Sequence, residues 1–216
     1  AQLDGNPDPD WSQLSSQIEE DFTALGIPDA HIYGRKTFDL KANWKTVMEP
    51  FLEGYHVQRL HAASIGNQFP DAPNVVDMFG ANIRQVSGRI GYKPTMLDED
   101  AAQNIHKLVT HAYVGFPNCV IVTSQYYISA MILMPLDVDR TIVNYYMLTP
   151  GPATTQKAQD VFERSYELII SVFAGEDFRA AQISQAGLSA GVPSEVVYCG
   201  LESNIIKYYE ALEQLL

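Results

Sequence analysis

The chain has 216 residues, 46% hydrophobic and 19% charged, with a formal net charge of −12. This is a folded chain, long enough for one large domain with a sizeable core, and its acidity argues against nucleic acid or anionic membrane as the main partner. Cys119 and Cys199 are its only cysteines; they cannot build a disulfide framework or a thiolate cluster, and no apolar run approaches the roughly 18 residues of a membrane span, so a reducing, cytoplasmic setting is expected.

The start, AQLDGNPDPDW, is acidic and Pro-rich, has no secretory apolar region, and reads as a linker leaving another domain. A helix is predicted over 10–25, with Asp10 as a possible N-cap, and a strand over 31–42. Asn43 caps a predicted helix over 43–56, whose apolar stripe runs through Trp44, Val47, Met48, Phe51, Leu52 and Tyr55. Pro50 falls inside that pattern and should kink or break it. Residues 62–80 read as irregular, punctuated by Gly66, Pro70, Pro73 and Gly80. Five runs rich in β-branched and aromatic residues follow, at 81–92, 111–116, 119–124, 126–136 and 140–150, with a helix over 97–108 interrupting them. The connections are short, and PLDVDR sits like a hairpin loop, which predicts an antiparallel sheet. Helices are predicted over 153–175, 176–191 and 201–216. Strands in the middle with helices at both ends give an α+β domain, with helices on one face of an antiparallel sheet.

The chemistry concentrates in EGYHVQRLH, residues 53–61, which holds two of the five histidines. Imidazole is a common ligand of borderline-soft metals. His56 and His61 are five residues apart, which on a regular helix leaves them ~140° apart. Both can meet one ion only if the helix ends, kinks or bulges between them. This is not the four-residue His-Glu-x-x-His spacing of zinc proteases. The spacing alone equally allows a hydrogen-bonded helix end. His31, His106 and His111 read as structural or exposed.

The longer string NWKTVMEPFLEGYHVQRLH resembles the iron-binding stretch of the Rieske non-haem iron ring-hydroxylating oxygenases. Asn43, Trp44, Lys45, Glu49, Phe51, Glu53, Tyr55, His56 and His61 carry the resemblance over 19 positions. Pro50 departs from it, standing where the family usually has Asn. Downstream, GEDFRAAQISQAGL resembles the stretch that supplies the family's third ligand, with Gln185, Gly187 and Leu188 at the expected offsets and Gln182 in place of a frequent Glu. The resemblance implies that Asp177 joins His56 and His61 as a ligand of mononuclear Fe(II), with Glu176 as the alternative carboxylate. Without it, Asp177 reads as a helix N-terminal residue favoured by the dipole. Two imidazoles and one carboxylate on one face of the ion leave positions open for O₂. The resemblance gives Glu53 a different role, orienting His56 and bridging to a cluster ligand in a neighbouring subunit; otherwise it is a solvent-facing helix Glu.

The resemblance further implies a helix-grip fold (Bet v 1-like or START-like), an antiparallel sheet packed on a long C-terminal helix around an apolar cavity. Pro50, Val57 and Phe173 are candidate walls of that cavity, or plain packing. A Rieske [2Fe–2S] cluster needs two cysteines and two histidines in close motifs, which this sequence lacks. Residues 1–30 are therefore read as a linker and helix following an absent Rieske domain, and 31–216 as the mononuclear-iron catalytic domain. The expected activity is mono- or dihydroxylation, or oxidative demethylation, of an aromatic or other small organic substrate. O₂ is the co-substrate, and electrons come from NAD(P)H through a reductase or ferredoxin and the Rieske cluster of a homotrimer. Two other readings compete: a metal-free helix-grip domain that binds a hydrophobic ligand, and a zinc hydrolase. The latter is disfavoured by the five-residue spacing and by the lack of a suitable nearby general base.

Overall fold

The computed structural model describes residues 16–91, 105, 108–191 and 195–214. Asp10 and nearly all of the helix predicted over 97–108 lie outside the described residues. Among those described, one seven-stranded antiparallel sheet has the order β1-β7-β6-β5-β4-β3-β2. Its strands are β1 (His31–Leu40), β2 (Val75–Phe79), β3 (Asn82–Gly88), β4 (Val109–Gly115), β5 (Cys119–Thr123), β6 (Ile128–Asp137) and β7 (Arg140–Thr149). Strands β2 to β7 form a meander, and β1 returns to pair with β7. Asp137 pairs with Arg140, so Val138 and Asp139 make the two-residue turn of the hairpin expected at PLDVDR.

Strand β7 shows why the sheet has a fixed inner face. Thr141, Val143, Tyr145, Met147 and Thr149 are buried in strict alternation with less buried neighbours. On β6, Ser129, Met131 and Leu133 point inward while Ile132, Met134 and Leu136 are exposed. Met131, Leu133, Val143 and Met147 are wholly buried, each worth about 1.5–3 kcal/mol relative to exposure.

The inner face closes on a long helical run. Helix α4 (Gln156–Val172) begins at Thr155, whose side chain accepts the Ala158 amide hydrogen at 3.2 Å. It passes through a π-helical turn, Phe173–Asp177, into α5 (Phe178–Ser189). The sequence had suggested separate helices on either side of residue 175; they are continuous. Phe178 packs edge-on to Phe38 at 5.0 Å, and Phe173 lies 5.7 Å from Tyr145. Gly34 on β1 lets α4 approach, since a Cβ there would fall 2.6 Å from the Tyr166 ring, and the Tyr166 hydroxyl donates to the Arg35 carbonyl at 2.7 Å.

Two flanking helices complete the domain. Helix α1 (Ser16–Ala24) docks on β3 and β4: Ile18 is buried, and Asp21 accepts from Arg84 at 2.6 Å and the Tyr113 hydroxyl at 3.0 Å. The C-terminal helix (Ser203–Glu213) buries Ile205 and Tyr208. Two expectations need correction. The stretch 62–80 is not wholly irregular, because it contains β2, and the strand predicted over 81–92 ends at Gly88.

Candidate metal centre

The helix predicted over 43–56 is broken, and the break builds the site. Asn43 caps a helix of one and a half turns, α2 (Trp44–Met48), accepting the Lys45 amide hydrogen at 3.0 Å. Pro50 cannot donate to a helical ladder, and the chain tightens into a 3₁₀ turn, Glu49–Leu52. The carbonyls of Phe51 and Leu52, at the end of that turn, accept from the side-chain amides of Gln85 at 2.6 Å and Asn204 at 3.2 Å, both buried. Glu53 is then extended, with φ −145° and ψ 170°. Helix α3 (Val57–Leu60) is a single turn, with His56 at its N-cap and His61 at its C-cap. The helix thus ends at both histidines, and their rings meet edge-on with centroids 5.1 Å apart. Gly66 locks the following turn: its amide donates to the His61 carbonyl at 2.9 Å, and a Cβ would fall 2.8 Å from that oxygen and 2.9 Å from the Val57 carbonyl.

Each imidazole is held from behind by a carboxylate. Glu53 Oε1 lies 2.5 Å from His56 Nδ1, while its Oε2 accepts the His56 backbone hydrogen at 3.0 Å. Glu176 Oε2 lies 2.5 Å from His61 Nδ1 and accepts from the Ser64 hydroxyl at 2.8 Å. With Nδ1–H directed at a carboxylate, each neutral ring presents its Nε2 lone pair on the opposite side. Both Nε2 atoms face Asp177 Oδ1, at 3.6 Å from His56 and 3.3 Å from His61.

Asp177 Oδ1 is buried and has no hydrogen-bond partner among the described residues. Three acceptors directed at one another in a buried place are costly unless a proton or a cation stands between them. One ligand atom from each of His56, His61 and Asp177 lies within 4.8 Å of the others. Two imidazoles and one carboxylate fit a divalent metal with open positions. In the metal-free protein, burial works against charging His61, but the Asp177 and Glu176 carboxylates outweigh it and raise its pKa above the ordinary 6.5.

Two parts of the chain 116 residues apart must be kept in register for this. Gln182 and Gln185 on α5 do so, accepting the backbone hydrogens of Lys41 at 3.0 Å and Asn43 at 2.9 Å. The π-turn sets the phase of the acidic pair. Its i→i+5 bond runs from the Phe178 amide to the Phe173 carbonyl, and the two rings stack 5.9 Å apart.

A cavity of about 350 Å³ opens on the three converging residues. Pro50, Val57 and Phe173, the wall candidates from the sequence, line it, as do Phe51, Leu168 and Val172. Sequence reasoning missed the placement of Glu176 behind His61, the Ser64 contact, the Gly66 lock and Arg89 in the cavity wall. Of these, only Gly66 and Glu176 had been singled out, as a breaker and as an alternative ligand.

Residues 28–216 match the family model for the ring hydroxylating alpha subunit (catalytic domain). The chain belongs to that family. Among curated protein sequences none matches it. Solved structures share the fold. The quaternary ammonium Rieske monooxygenase CntA, in complex with an inhibitor, superposes with a TM-score of 0.76 at 17% identity, over 98% of this chain and 57% of that one. Naphthalene 1,2-dioxygenase from Rhodococcus sp., bound to indole, gives 0.64 at 16%, over 100% of this chain and 63% of the other. Dicamba monooxygenase, bound to 3,6-dichlorosalicylic acid, gives 0.60 at 10%, over 90% and 62%. This ring hydroxylating alpha-subunit domain therefore spans little more than half the length of the solved proteins it matches. No helix among its described residues is long and apolar enough to cross a membrane.

Proposed function

We propose that the protein is the catalytic domain of a Rieske-type oxygenase that hydroxylates or oxidatively demethylates a small organic substrate with O₂, and that His56, His61 and Asp177 would hold its mononuclear Fe(II). The observation that carries this reading is the partnerless Asp177 Oδ1 facing two Nε2 atoms in a family member. Ferrous iron bound there would supply electrons and open coordination positions for O₂. The chain's own residues do the rest. Glu53 and Glu176 keep protons on the Nδ1 atoms, so both rings offer Nε2 and are held in orientation. Asp177 brings the negative charge. The apolar walls at Phe51, Val57 and Phe173 exclude water and place an organic substrate beside the cluster.

In this reading electrons originate from NAD(P)H and pass through a reductase or ferredoxin to a Rieske [2Fe–2S] cluster outside this chain. A head-to-tail homotrimer would bring a neighbouring subunit's cluster to Glu53, which already grips His56 through both carboxylate oxygens. A metal-free carrier of hydrophobic ligands would use the same cavity, but it gives no reason to bury an unpaired carboxylate oxygen between two imidazoles.

The test is anaerobic reconstitution with Fe(II) followed by metal analysis. One iron per chain is expected, with loss of binding in His56→Ala. Absence of stoichiometric iron, or unchanged binding in that variant, sinks the proposal. Turnover that needs water alone, rather than O₂ and a reductant, would point to a hydrolase using the same ligands.

A further inference from the structure

Two arginines in the described structure are half-buried, Arg84 and Arg89. Arg84 is matched by two carboxylates, Asp21 at 2.6 Å and Asp77 at 2.8 Å. Arg89 has none among the described residues. It follows β3, its backbone amide bonded to the Leu108 carbonyl at 3.1 Å, and it is among the residues lining the cavity that opens on His56, His61 and Asp177. The guanidinium lies over the Phe69 ring at 5.3 Å. Nη1 donates to the Gln68 side-chain oxygen at 3.0 Å and Nη2 to the Thr110 hydroxyl at 3.1 Å. Both contacts are to neutral acceptors, and the buried Nε has no partner among the described residues.

A half-buried cation with neutral partners and an idle N–H costs stability unless something else compensates it. Five N–H groups are available on a guanidinium, and two are used here. The buried Nε–H is closed to a ligand, but each Nη nitrogen keeps one further N–H, and a guanidinium presents such groups to a carboxylate as charge-assisted bonds. Apolar side chains, Phe51, Val122, Leu168 and Phe173, stand elsewhere on the walls of the cavity. Its volume of about 350 Å³ suits a ligand of one or two rings, or a short chain. We propose that Arg89 anchors a substrate carboxylate, so that the site takes an organic acid whose apolar body lies along these walls toward the His56–His61–Asp177 cluster. This rests on the reading above that the cavity is the substrate site, and it narrows that reading to anionic substrates.

The probe pair is 1-naphthoate and its neutral isostere 1-naphthamide, titrated calorimetrically into metal-free protein. The acid is expected to bind about 10- to 100-fold more tightly than the amide, the range for hydrogen bonds to a charged group. Arg89→Gln should abolish that preference while leaving amide binding unchanged. Arg89→Lys should keep part of it, since the charge stays and the planar guanidinium is lost. Circular dichroism checks that each variant is folded; should Arg89→Gln fail to fold, the acid-to-amide ratio in the parent and in Arg89→Lys decides. Equal affinities, no binding of the acid, or a preference that survives Arg89→Gln each overturn the inference. Because the titration uses no metal, its failure is distinct from a failure to bind iron. A preference seen only after Fe(II) loading, and unaffected by Arg89→Gln, would mean that the acid ligates the metal, sinking the Arg89 assignment alone.

Discussion

Replacing Glu176 with Gln tests whether the carboxylate behind His61 tunes the site or merely fills space. The side chain keeps its size, and an amide oxygen can still accept from Nδ1. What goes is the negative charge 2.5 Å from His61 Nδ1, while one amide oxygen can still accept from both Nδ1 and the Ser64 hydroxyl. Carboxylates that orient ligating histidines are worth about 10- to 100-fold in metal affinity, or ~1.4–2.7 kcal/mol. That loss is expected for Fe(II) in Glu176→Gln at pH 8, read by anaerobic titration against a competing chelator. A pH series adds a signature that simple loosening would not give. His61 is raised above 6.5 in the metal-free protein by Asp177 and Glu176, against the opposing effect of burial. The stabilisation from its charged form is therefore complete below 6.5 and is lost as pH rises through the raised value. Metal must displace that proton, so affinity weakens as pH falls through the same value. Removing the Glu176 charge lowers it, and the weakening then begins at lower pH. The gap between parent and variant should be widest at pH 8 and shrink toward pH 6. Equal affinities at pH 8, or a gap that does not change with pH, would refute the reasoning.

At a pH well above the raised His61 value, where the ring is neutral, Asp177→Asn should abolish metal binding yet stabilise the metal-free protein, because an amide can donate to His61 Nε2 where Oδ1 has no partner among the described residues. A gain of about 1 kcal/mol, or ~2–4 °C in a chelator-treated melt, is expected; a lower midpoint would count against a functional origin of the orphaned oxygen. Gly66→Ala should do the opposite, destabilising by about 1–3 kcal/mol as its Cβ meets the His61 and Val57 carbonyls, and weakening metal binding as the His61 turn shifts. Denaturant titration and metal analysis of the same sample check both halves.

How much of this was legible in the sequence depended on whether the deciding contact was local. The alternation of β7 and the turn at Val138 and Asp139 are local, and both were readable from the run of residues alone. Strand β2 was hidden for a physical reason. It is five residues long at a sheet edge, and none of its residues is fully buried, so it shows no alternation to read. The stripe from Trp44 to Tyr55 does have helical spacing, and Pro50 warned of a break. What fixes the form of the break is Gln85 and Asn204, 34 and 152 residues away from the carbonyls they satisfy. No window around residue 50 contains them. The histidine spacing shows the same limit: five residues meant that the two could share an ion only if no regular helix ran between them, but only the tertiary structure says that the helix is one turn long.

The acidic pair shows most clearly why a motif outruns its own periodicity. Glu176 and Asp177 are adjacent, yet they reach opposite sides of one imidazole, Glu176 at Nδ1 and Asp177 at Nε2. On a regular helix five steps of ~100° would set Phe178 ~140° away from Phe173, and one of the two rings would have to leave the core. Both are buried, with Asp177 buried between them in the chain. The π-turn resolves the conflict by bringing positions five apart onto one face. Gly175 is exposed there, with open space where a Cβ would be, so its presence is not dictated by crowding. The turn is instead the backbone irregularity that lets a packed helix carry a carboxylate into an apolar core and still bury the rings on both sides of it. Read as two helices meeting at a glycine, the same residues would look like an ordinary connection, and the choice between Glu176 and Asp177 would stay open.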